Sequence, residues 1–78
     1  MSVFNLYTAT EENAGTPISG EEYRLALPAA QHKLEHINGL YGTHHGESYL
    51  AILIAEAVKA QRLTRHLDAV NDLREMVR

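Results

Sequence analysis

The sequence predicts an all-α protein. It reads as a helical hairpin of one kinked helix and one long C-terminal helix, pairing as a dimeric helix bundle, with an extended N-terminal arm. Three observations point there. Apolar residues recur at steps of three and four from Tyr23 to Tyr41 and again from Leu53 to Val77. The last stretch, from residue 47 to the end, holds neither glycine nor proline and is rich in good helix formers. A helix-start signal, Ser19-Gly20-Glu21-Glu22, stands directly before the first periodic run.

The first 19 residues show no helical period. Val3 to Thr8 is rich in β-formers, and a lone strand needs an edge to pair with. No second good strand follows, so residues 1–19 are expected as an extended arm and loop, lying on the helices or pairing with a copy of themselves. Gly15 and Pro17 place a loop before Ser19. Residues 20–78 then form the single helical domain.

The first helix is expected over 20–38. Ser19 can accept from the Glu22 amide while Glu22 reaches back to the Ser19 amide, and Ile18 can staple against Tyr23. Tyr23, Leu27, Ala30, Leu34, Ile37 and Tyr41 make one apolar stripe. Pro28 cannot donate to the turn behind it and its ring crowds that turn, so a kink is expected there. Asn38-Gly39 offers a stop, since glycine tolerates a left-handed cap. Residues 39–46, GLYGTHHG, form the connector.

The second helix is expected over about 46–77. Leu50, Ile54 and Val58 widen its apolar surface at the N-terminal end. A helix that long measures roughly 45 Å, whereas a compact chain of this size has a diameter near 30 Å. Leu63, Leu67, Val70, Leu73 and Val77 would thus overhang their own domain, and a second copy is the simplest cover. A break near Thr64 is the competing picture, but with leucine at 67 the capping box there is incomplete.

Bulk properties bound the function. The chain has 78 residues, no cysteine and a net charge of −3. A domain this small buries only roughly 60% of its unfolded surface, so its core is thin. Without cysteines there is no disulfide and no thiolate metal site. The charge balance argues against nucleic acid as the main partner, for which a basic stripe is usual. No run approaches a membrane span and the start lacks a secretory pattern, so a cytoplasmic location is expected.

The histidines carry the only metal-like spelling. His32-x-x-Glu35-His36 has the letters of an inverted zinc-protease motif, in which two histidines one turn apart hold zinc and the glutamate acts as base. His44 and His45 are weak candidates for further ligands. A catalytic zinc needs a third protein ligand and an open position. With the stripe at Ala30, Leu34 and Ile37 facing inward, His32 and His36 point about 120° to 160° away from it. The expectation is therefore a solvated polar face, with no metal and no cofactor. His66 is expected at the edge of an interface. No phosphate loop, cysteine nucleophile or serine triad appears.

By elimination the expected function is non-enzymatic binding: an adaptor, regulator or inhibitor that offers a helix face to a larger protein, as a homodimer. Leu63, Leu67, Val70, Leu73 and Val77 are the association candidates, with Tyr7 and Tyr49 as partner contacts. Tyr41 reads as core. Two alternatives stay open. A DNA-binding regulator would use Lys59, Arg62 and Arg65 on phosphate, and a metal protein would use the histidines. Along the last helix these cations interleave with Glu56, Asp68, Asp72 and Glu75, with Asp68–Arg65 and Glu75–Arg78 as expected pairs.

Overall fold

The computed structural model describes residues 3–76. Among them all regular structure is helical, in three elements: α1 (Leu6–Ala14), α2 (Gly20–Tyr41) and α3 (Glu47–Met76). Val77 and Arg78, an expected interface residue and an expected ion-pair partner, lie outside the described residues.

The α2 start forms as the sequence requires. Ser19 Oγ accepts from the Glu22 amide at 3.1 Å, and Glu22 Oε1 accepts from the Ser19 amide at 3.0 Å. Pro28 sits inside α2 without ending it. Its ring is exposed, so the lost intrahelical bond opens toward water. The helix also runs past the expected stop at Asn38-Gly39 and ends at Gly42, whose φ of +65° is the left-handed cap. Asn38 explains the delay, because its side chain is committed to the connector. Asn38 Oδ1 accepts from the His45 amide at 3.0 Å and from Thr43 Oγ1 at 3.2 Å, and Nδ2 donates to the His45 carbonyl at 3.2 Å. Tyr41, expected in the core, is 71% exposed as a result.

The N-terminal stretch corrects the expected arm. Residues 6–14 form a helix, where the β-rich composition predicts extended chain. Asn5 caps it by accepting from the Thr8 amide at 3.0 Å, and Gly15 closes it at φ +71°. Its inward face carries Leu6, Thr10 and Ala14, spaced by four. Thr10 is fully buried, and its hydroxyl is satisfied by the Leu6 carbonyl at 2.7 Å. A buried threonine in mid-face breaks the apolar pattern that would have announced the helix.

α3 is the spine. Both α1 and α2 pack on it, and the core is Ile54, Val58, Leu50 and Leu53 of α3 with Ile18, Ala26 and Ala30. All of α3's buried residues lie between Leu50 and Val58. The helix continues unbroken through Thr64, whose hydroxyl turns back to the Ala60 carbonyl at 3.0 Å. From Leu63 onward every described residue except Val70 is exposed. The radius of gyration is 15.6 Å, against roughly 11–12 Å for a compact chain of this length. The distal half of α3 projects beyond the body, as its length requires.

Replacing the α1 cap tests the corrected element. Asn5→Ala is expected to lower unfolding stability by about 0.5–2 kcal/mol, read as a shifted urea midpoint. An extended arm at this place would leave the midpoint unmoved.

Candidate interaction surface

Three surface features have enough chemistry to be weighed: a charged knot at the base of the overhang, a groove between α2 and α3, and the overhang itself.

The knot centres on Glu22. Arg62 donates to it twice, from Nε at 2.7 Å and from Nη2 at 3.0 Å, while the same Nη2 also donates to the Pro17 carbonyl at 2.8 Å. Arg65 Nη2 adds a further bond at 3.2 Å. Glu22 thus serves three jobs: it completes the α2 capping box, it holds α3, and through Arg62 it fixes the α1–α2 loop. The Arg62 hydrogen bonds, followed by the Ser19 amide, hold its carboxyl far below the usual carboxylate range. Glu22 in turn raises the Arg62 guanidinium above its ordinary value. Neighbouring charges along α3 predict Arg65 paired with Asp68. Arg62 is instead half-buried and Arg65 reaches Glu22, 43 residues earlier in the chain. Two of the three cations that a phosphate contact would use are thus already engaged by Glu22, Arg65 while remaining exposed.

A groove runs along the open side of the α2–α3 pair. Its wider part, of about 570 Å³, lies between Glu21, Leu25 and the Ala60–Arg65 stretch of α3. A shallower part of about 310 Å³ continues between Ala29, Lys33, Glu56 and Ala57. Ala60 lines both parts. The small side chains of Ala29, Ala57 and Ala60 leave its floor unfilled. Lys33 and Glu56 face each other across the shallow end at 3.8 Å, both well exposed.

The overhang carries the expected association residues. Leu63 is 59% exposed, Leu67 52% and Leu73 60%, with Val70 half-buried. Tyr7 and Tyr49, expected as partner contacts, are engaged within the chain. Tyr7 lies against Tyr23 with ring centroids 5.1 Å apart, and burial, then Glu11, then Glu22 push its phenol up. Tyr49 stacks on His45 at 4.4 Å.

The histidines stay apart as a site. His32, His36, His44 and His45 are all exposed, and among the described residues no three histidine, aspartate or glutamate side chains converge as a metal ion requires. His66 stands exposed on the overhang. None of the helices is long and apolar enough to cross a membrane, among the described residues.

No family model matches this sequence, and no curated protein or solved structure matches it significantly. The surface therefore has to be read from its own chemistry.

Because the Glu22 carboxyl is depressed, its contribution to stability is complete above its ordinary value of 4.5 and is lost as pH falls below that. Glu22→Gln should lower the urea midpoint at neutral pH, and the gap to the native chain should narrow steadily as pH falls from 4.5 toward 2. A gap independent of pH would contradict the charge argument. A chelator should leave the melting temperature unchanged; a drop abolished by His36→Ala would instead reveal a histidine metal site.

Proposed function

We propose that this chain is a non-enzymatic protein-binding module that self-associates through the distal half of α3 and presents helix surface to a larger protein. The observation that carries the reading is the exposed leucine stripe on the overhang. Solitary exposed leucines are ordinary, but Leu63 and Leu67 fall one turn apart on a helix that its own body cannot cover. The charged groups support the same reading. Glu22, Arg62 and Arg65 form a structural tie, and the histidines are dispersed over the surface.

The strength of association can be bounded. Full burial of a leucine is worth about 1.5–3 kcal/mol, and a half-exposed one gains roughly half of that. Two such leucines on each copy give only a few kcal/mol, with Val70 and the alanine contacts added. The pair is thus expected to be weak and reversible, with a dissociation constant in roughly the high-micromolar to millimolar range.

Sedimentation equilibrium over a concentration series tests this. The native chain should show a monomer–dimer equilibrium. The double substitution Leu67→Glu, Val70→Glu should raise the dissociation constant at least about tenfold, while the far-ultraviolet spectrum stays helical. A chain that remains an 8.7 kDa particle at about 1 mM would overturn self-association.

A further inference from the structure

The placement of charge along α3 goes further and fixes how two copies meet. This step rests on the self-association just described. At about 100° per residue, Glu56, Ala60, Leu63, Leu67, Val70 and Arg74 fall on one sector of α3, at alternating steps of four and three. Ile54 and Val58, which are fully buried against the body, fall on the opposite side. Glu56 and Ala60 also line the α2–α3 groove, so the sector runs along the groove's rim. A partner helix can lie there without meeting the packed side of α3.

The ends of this sector are oppositely charged. Glu56 stands at the end beside the body and Arg74 at the free end, with only apolar side chains at the four seam positions between them. In a parallel, in-register pair Glu56 would meet Glu56 and Arg74 would meet Arg74. Like charges would then face each other at both ends. Both overhangs would also project together, still unsheltered. An antiparallel pair reverses both penalties. Glu56 meets Arg74 at each end, and each overhang lies beside the stretch of the other α3 that its own body supports.

We infer that the occupant of this sector is a second copy of the chain, packed antiparallel about a two-fold axis at the level of Arg65. Leu63 then lies opposite the partner's Leu67, Ala60 opposite the partner's Val70, and Glu56 opposite the partner's Arg74. These three pairings share one register, which is the condition for alternating seam layers to interlock along an antiparallel pair. The small Ala60 accepts the larger Val70, as close helix approach needs. Lys33 stands 3.8 Å from Glu56, and the Glu56 side chain stays 59% exposed, open to a second cation. The two His66 side chains flank the axis from the same edge of the pair.

Charge exchange and cross-linking test this register in the full chain. Glu56→Arg alone and Arg74→Glu alone should each weaken the dimer by about threefold or more, and the double variant should return close to native affinity. The chain has no cysteine, so single cysteines report cleanly. His66→Cys should be joined by a short bismaleimide far faster than Arg74→Cys. Fast joining at Arg74→Cys with no charge rescue would mean a parallel pair and would overturn the register while leaving self-association intact. A monomer in every sample would overturn the second copy as occupant, and with it the reading beneath.

Discussion

One helix does two jobs, and the rest of the molecule follows from how they are divided along its length. α3 is the element against which both other helices pack, and all of its buried side chains lie between Leu50 and Val58. Nine residues of a 30-residue helix therefore hold the tertiary fold together. Their composition suits this: Ala51 and Ala55 let neighbours approach closely, while Leu50, Leu53, Ile54 and Val58 fill the space around them. Beyond Arg65 the helix projects from the body, and its leucines face solvent.

The passage between the two regimes is marked by the Glu22 knot. Arg62 and Arg65 are the last residues of α3 seen to reach back to the body, and both do so through one carboxylate. That carboxylate is also the reciprocal half of the α2 cap. A single side chain thus joins the start of one helix, the loop before it and the middle of another. In a core this thin such a tie adds to the apolar packing that orients the three segments. The polar groups of the knot are paired, and no buried side-chain nitrogen or oxygen among the described residues lacks a partner.

How far the sequence could be read depended on whether the deciding interaction was local. The capping box at Ser19 and Glu22 is local, and it stands as read. The helical period of α2 and the unbroken run of α3 were likewise legible, since spacing alone determines which residues share a face. α1 was not legible. Threonines at 8 and 10 and an asparagine at 13 give weak helix propensity, and the apolar face is interrupted by Thr10, whose burial depends on the packing of α1 against the rest of the chain. Asn5 before it and Gly15 after it were the available signals, and they are strong only once a helix between them is suspected. The end of α2 failed similarly: Asn38 looks like a terminator, but its side chain serves a connector whose geometry no spacing rule contains. For the surface, the leucines were visible and their exposure followed from length alone. The pairing of Arg62 with Glu22 crosses 40 residues and could not be read from neighbouring charges.

The separation of packed and projecting stretches on α3 sets where the chain tolerates change. Among the described residues beyond Arg65 all but Val70 are exposed, so a substitution there leaves the packed block between Leu50 and Val58 untouched. One end of the helix thus carries the fold, and the other can be rewritten without unfolding it.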